Sequence, residues 1–221
     1  MDNNSNINSV FDFVKNKKLE ADVFLNLDSN TIIKIKEVIQ IIKKDSFKNT
    51  KEKGDALENL ISLLFQDKFF IKKANIKSNT NEIDLLLYLT DEAKIYKSIG
   101  IIPDWFPNNH FVLECKNYKD KVGVTYIGKF ATLMKTHNSP IGIFVTNKEI
   151  TGEKDGKYSW ADASGLVKKI NLKYSESPNP IYIIPINFQQ IENNIDKYKG
   201  NIFELLSQNK LKIDLDLKTD F

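Results

Sequence analysis

Apolar residues spaced three and four apart alternate along this chain with short, nearly continuous apolar runs. That alternation predicts helices interleaved with buried strands. Ile32, Ile35, Val38, Ile39 and Ile42 form one helical stripe, predicting a helix from Ser29 or Asn30 to about residue 44. Val10, Phe11, Phe13 and Val14 suggest a shorter helix before it. Leu57, Leu60, Ile61, Leu64 and Phe65 form another stripe, preceded by Asn49 and Glu52 at capping-box spacing. Strands are expected at 69–76 and 83–89, with a polar turn at 79–81, and then at 111–116, 140–146 and 180–185. Helices are expected after Gly123 to about residue 137, at 161–173, at 189–198 and at 201–208. The segment 91–109, with Pro103 and Pro107, is expected to be an insertion. Helices on both sides of a short mixed sheet make the fold class α/β. The chain divides into an N-terminal helical extension at 1–48, a core at 49–186 and a C-terminal helical segment at 187–221, packed on the core. Three uses of the extension stay open: packing on the core, a dimer contact, or docking of a partner.

Composition narrows the class. The chain has 221 residues, enough to bury a core, and its hydrophobic share of 41% and charged share of 28% are ordinary for a globular protein. No apolar run nears the roughly 20 residues of a membrane span. Met1 to Ser9 is polar and Asn-rich, without the pattern of a signal peptide. One cysteine makes no internal disulfide, so a cytoplasmic location is expected, with no membrane partner. The net charge of +3 does not by itself point to nucleic acid. All 32 basic residues are lysine, so no guanidinium fork is present to read guanine or phosphate in bidentate fashion.

The candidate chemistry sits in Phe111-Val-Leu-Glu-Cys-Lys116. Side chains alternate along a strand, so Glu114 and Lys116 share one face, while Phe111, Leu113 and Cys115 share the other. A carboxylate and an ammonium leaving one face of an apolar strand suit a divalent cation with a lysine beside the attacking water. Asp84 interrupts another apolar strand, where an unpaired carboxylate is costly. Glu58 borders the apolar arc of its helix. Each has an ordinary alternative: a solvated helix position for Glu58, a turn cap or lysine pair for Asp84, a polar edge-strand face for Glu114 and Lys116. Cys115 alternates with core residues and is expected to behave as a small hydrophobe rather than a nucleophile. His110 and His137 lack neighbours at zinc spacing, and the GxxxxGK[ST] phosphate loop is absent.

The order of these pieces resembles the PD-(D/E)xK restriction-endonuclease-like superfamily, especially its Mrr-like branch. The resembling text is Lys53-Gly-Asp-Ala-Leu-Glu58, Asn81-Glu-Ile-Asp84-Leu, Leu113-Glu-Cys-Lys-Asn117, residues 124–130, and Gly142-Ile-Phe-Val-Thr146. It spans roughly residues 50 to 185. The resemblance implies a restriction-endonuclease-like core and a DNA endonuclease. Asp84 and Glu114 would be the main metal ligands, and Glu58 would hold a second metal or a metal-bound water. Lys116 would position or deprotonate the nucleophilic water and offset charge on the phosphorane. Such oxygen ligands suit Mg²⁺ or Mn²⁺. The resemblance further implies restriction or anti-phage defence, a homodimer, and the option of a partner protein of a defence system. An RNase or structure-specific nuclease of the same fold, or a nucleic-acid-binding subunit licensed by a partner, are the alternatives.

Pro103-Asp104 is a literal "PD" nearer to Glu114 than Asp84 is. Asp84 is preferred because it lies inside an apolar strand, whereas Asp104 lies in an expected loop, where Asp is ordinary. Lys119, Lys121, Lys129 and Lys135 are candidates for tracking phosphates, against the plain alternative of a solvated face. Tyr118, Tyr126, Trp105 and Trp160 are candidates for base stacking, against the alternative of ordinary packing.

Overall fold

The structure is a computed structural model that describes residues 23–77, 82–118, 120–152, 161–174 and 177–219. The expected early helix around Phe11, the turn at 79–81, Lys119 and Trp160 lie outside the described residues.

The elements in chain order are α1 (Ser29–Lys44), α2 (Thr50–Leu64), β1 (Phe70–Lys77), β2 (Glu82–Leu89), α3 (Asp91–Ser98), β3 (His110–Lys116) and α4 (Val124–Thr136). They continue as β4 (Ile141–Thr146), α5 (Ala163–Tyr174), β5 (Tyr182–Asn187), α6 (Phe188–Tyr198) and α7 (Ile202–Thr219). The five strands form one sheet in the order β1-β2-β3-β4-β5. β1, β2 and β3 pair antiparallel, and β3, β4 and β5 pair parallel. This is the mixed sheet flanked by helices that the patterning predicts.

Local chemistry places the helix starts. Asp28 caps α1 by accepting from the Thr31 N–H at 2.9 Å. Asn49 caps α2 by accepting from the Glu52 N–H at 2.9 Å, and the Glu52 carboxylate accepts from the Lys48 N–H at 3.0 Å. The return bond is thus taken one residue earlier than in a standard capping box. The segment 91–109 is not a plain insertion, because it begins with α3. Thr90 caps that helix through the Ala93 N–H at 3.1 Å, and Asp91 and Glu92 stand in its first turn. The final helix also runs further than 201–208, reaching Thr219. Its second half alternates Leu and Ile with Lys and Asp, a two-residue period that hides a helix whose Leu211 and Leu215 face solvent.

The two sheet faces are covered unequally. On one face, Leu85, Leu87, Phe111, Leu113, Ile143, Ile184 and Ile186 join α1, α2, α6 and α7 in one buried cluster. Leu25, Leu27, Ile35, Ile39 and Ile42 of the N-terminal extension belong to that cluster, so the described part of the extension, from residue 23, packs on the core. Lys36 and Asp196 at 2.9 Å, and Lys43 and Glu192 at 2.6 Å, tie α1 to α6 at the surface. Each such exposed pair contributes at most about 1 kcal/mol, so apolar burial holds the extension in place.

On the other face, α4 and α5 cover β3, β4 and β5 through Ile127, Phe130, Met134, Val167 and Ile170. Gly142 sets how close α4 comes, since a Cβ there would stand 2.7 Å from the Phe130 ring. Among the described residues the outward face of β1 and β2 has no such cover: Ile71 is 52% exposed and Lys73 lies over the Tyr88 ring at 5.3 Å. Asp84, Glu114 and Lys116 belong to this half-open face.

Candidate active site

Strand alternation and register bring Asp84 and Glu114 together. β2 pairs with β3 up to Leu85 with Leu113, and Asp84 and Glu114 are the next residues on the two strands, where the Asp84 carboxylate reaches across to the Cys115 N–H. Leu85 and Leu113 turn to the apolar cluster, so their neighbours Asp84 and Glu114 turn to the half-open face. Two carboxylates so placed on adjoining strands repel, a cost that an apolar strand pair would not normally carry.

Two contacts offset that repulsion. Lys116, on the same face as Glu114, forms an ion pair with the Glu114 carboxylate. The backbone N–H of Cys115 donates to Asp84 Oδ2 at 2.7 Å. Burial works to lower the Lys116 pKa, but Glu114 and then Asp84 outweigh it and hold the ammonium above the ordinary lysine value. Lys116 therefore stays protonated at neutral pH while these carboxylates are its neighbours. In that state it is a donor and a counter-charge, and it has no lone pair with which to take a proton.

Glu58 arrives from the other side. It is on α2, whose Leu57, Leu60, Ile61 and Leu64 pack on the covered face. Burial raises the Cys115 thiol pKa well above its ordinary value, and Asp84, Glu114 and Glu58, in that order, add to the rise. Three carboxylates thus act on one thiol at the end of β3, and the thiol itself is no nucleophile at neutral pH. Cys115 is partly buried against the apolar cluster, as its alternation predicts.

The donor set suits a hard divalent cation. Asp84 and Glu114 offer carboxylate oxygens beside a counter-charge, the chemistry that Mg²⁺ or Mn²⁺ accepts. Among the described residues no group of three or more His, Cys, Asp or Glu stands close enough to hold a metal. Asp84, Glu114 and Glu58 nevertheless all act electrostatically on the Cys115 thiol between them.

Asp104 lies elsewhere. It is exposed, in a turn closed by the Phe106 N–H donating to the Pro103 carbonyl at 3.0 Å. That turn leads into His110, at the opposite end of β3 from Glu114 and Lys116.

The lysines divide in the same way. Lys129 is exposed beside the Glu114 and Lys116 end of α4. Lys121 is exposed in the loop before α4 and stands 3.9 Å from Glu149. Lys135 lies in the last turn of α4, donates to the Asn179 carbonyl at 2.5 Å and sits over the Tyr174 ring. It is engaged in structure away from the carboxylates.

Sequence reasoning assigned no role to Asn117, at the end of the Leu113–Asn117 motif, or to Asn147. Asn117 and Asn147 directly follow β3 and β4, whose last pair is Lys116 with Thr146. Asn147 donates to the Asn117 side-chain oxygen at 3.2 Å, and the Asn117 amide donates to the Lys53 carbonyl at 3.3 Å. The chain of bonds ties α2 to the ends of both strands and so fixes the helix that carries Glu58. Asn at the exit of two parallel strands was the available signal.

A family model of the Mrr type, described as restriction endonuclease, matches residues 50–170. That span contains α2, the β1 to β4 part of the sheet, Asp84, Glu114 and Lys116. Comparisons with curated proteins and with solved structures each returned no match.

Proposed function

Because the chain belongs to the restriction endonuclease family, we propose that it is a metal-dependent endonuclease hydrolysing phosphodiester bonds in DNA. The observation that carries this reading is that Asp84 and Glu114 follow the last β2–β3 pair, Asp84 bonded to the Cys115 N–H and Glu114 ion-paired with Lys116. Asp84 and Glu114 would hold Mg²⁺ or Mn²⁺. That ion, when bound, supplies polarisation of the phosphoryl oxygen and lowers the pKa of its water.

The chain's own residues supply the rest. Lys116, kept charged by Glu114 and Asp84, donates toward the reacting phosphate and stabilises the charge that builds on its oxygens. The Cys115 N–H holds the Asp84 carboxylate in orientation. Glu58 carries a water or a second ion at the edge of the pair. Lys121 and Lys129 track the flanking phosphates as point charges. Restriction or anti-phage defence in a bacterial cytoplasm is the setting that such a nuclease serves. Cutting both strands of a duplex favours a homodimer, with one site for each strand.

A second reading has one observation behind it. Glu58 stands on a helix, α2, whereas Asp84 and Glu114 stand on strands, so its approach to them depends on how that helix is held. A partner protein of a defence system, or DNA itself, would then complete the site before cutting.

The test is cleavage of supercoiled plasmid by the purified protein in Mg²⁺, in Mn²⁺ and in EDTA, with Lys116→Ala alongside. Nicking or linearisation that needs the metal and vanishes in the variant is expected. Equal cutting in EDTA, or by the Lys116 variant, would refute the proposal.

A further inference from the structure

Glu114 and Lys116 open sideways into a groove that catalysis does not explain. Glu114 and Lys116 form one end of it, Tyr118 and Tyr126 its wall, and Lys129 its rim. The two tyrosine rings lie 5.1 Å apart at 46°, packed against one another. Tyr118 is nevertheless 42% exposed, a large ring left uncovered two residues beyond Lys116. Tyr126 follows one turn into α4, and Gly142 allows that helix its close approach to the sheet.

Resting on the nuclease reading above, we propose that Tyr118, backed by Tyr126, stacks on an unpaired nucleobase next to the phosphate at Glu114 and Lys116, so that the preferred substrate is DNA with an unpaired nucleotide at the cut. Three observations support that choice. A ring 42% exposed and held by a neighbouring ring offers a stacking platform, and every base has a π-face to offer it. Lys116 and Lys129 supply positive charge on either side, where the phosphates flanking such a base would lie. With no arginine anywhere in the chain, bidentate reading of guanine edges is closed to it, whereas stacking needs none. A base within an intact duplex has both faces covered by its neighbours. It reaches a lateral ring only when it is unpaired or flipped out.

The test uses the full chain and one oligonucleotide set: a fully paired duplex, the same duplex with a single bulged nucleotide, and the single strand. Each carries 2-aminopurine at the bulge position. Binding is read in EDTA by fluorescence quenching, and cutting in Mn²⁺ by gel. Tighter binding and stronger quenching on the bulged duplex and the single strand are expected. Tyr118→Ala should cost roughly tenfold in affinity for these two DNAs and leave paired DNA unchanged, whereas Tyr118→Phe should match the wild type. Preferred cutting beside the bulge should vanish with the same variant. Equal wild-type binding to paired and unpaired DNA, or equal loss in the Phe and Ala variants, would overturn the inference. Absence of metal-dependent cutting would count against the nuclease reading alone, because the quenching in EDTA decides the stacking independently.

Discussion

The β2–β3 ladder has two ends, and both carry polar residues. At the far end, His110 Nε2 bonds the His137 carbonyl at 2.7 Å, and the buried Ser139 hydroxyl accepts from the Val112 N–H at 3.1 Å and donates to the Ile141 carbonyl at 2.8 Å. The Asp104 turn there is exposed, so its charge costs little. The His110 imidazole and the Ser139 hydroxyl at that end have structural tasks. At the near end, Asp84 and Glu114 follow the last pair, a third carboxylate stands close by, and one lysine offsets them. A fold built only for stability would replace such a pair. The two ends together teach that satisfied polarity marks architecture, while like charge held at the exit of a strand marks chemistry.

Removing the near-end charges should separate the two ends most sharply. Glu114→Ala and Asp84→Ala should lower metal-dependent cleavage on the order of a thousandfold, measured as initial rates on plasmid. Unfolding in urea should show a modest loss of stability in both, since Asp84→Ala leaves the Cys115 N–H without its acceptor and Glu114→Ala leaves Lys116 without its ion-pair partner. Lys116→Ala should cost on the order of a hundredfold in cleavage rate.

At the far end, stability rather than cleavage should suffer. Ser139→Ala leaves the buried Val112 N–H without its acceptor and should cost about 1–3 kcal/mol in urea unfolding, with cleavage of the remaining folded protein unchanged. A pH series gives a finer contrast. The Lys116 pKa is raised, so its charge, and the stability that charge brings, is present below the ordinary lysine value of about 10.4 and is lost only as pH rises through the raised one. Cleavage should therefore show no falling limb from Lys116 between about pH 7 and 9.5. The smallest expected effect is that of Asp104→Ala, within about 0.5 kcal/mol in stability as for an ordinary surface position.

Most of the fold was legible because its signals are periodic. The stripe of Ile35, Ile39 and Ile42 places α1 and its buried face, and Asn49 starts α2 where its capping chemistry says it should. The elements that escaped lack such a period. In α3 only Ala93 is fully buried, so its stripe is weak, and its sequence evidence was Thr90 with two acids after it. The end of α7 alternates like a strand because its helix contacts are mixed with charges, such as Lys210 with Asp214 at 2.6 Å.

The site was legible in a different manner. Alternation alone put Glu114 and Lys116 on one face, but the place of Asp84 beside them depends on strand register, which only pairing reveals. The Asn117–Asn147 link depends on two parallel strands ending together, a relation between residues 30 positions apart that no local pattern encodes. For the same reason Lys135 and Lys129, one helical face apart in sequence, could not be sorted before α4 was seen against Asn179 and Tyr174.

The most direct test of the account is plasmid cleavage in Mn²⁺ by two variants side by side, Asp84→Asn and Asp104→Asn, each confirmed folded by circular dichroism. The account predicts that the Asp84 variant is inactive and the Asp104 variant cuts at the wild-type rate. Full activity of the Asp84 variant with loss in the Asp104 variant would place the chemistry at the other end of the ladder and contradict it.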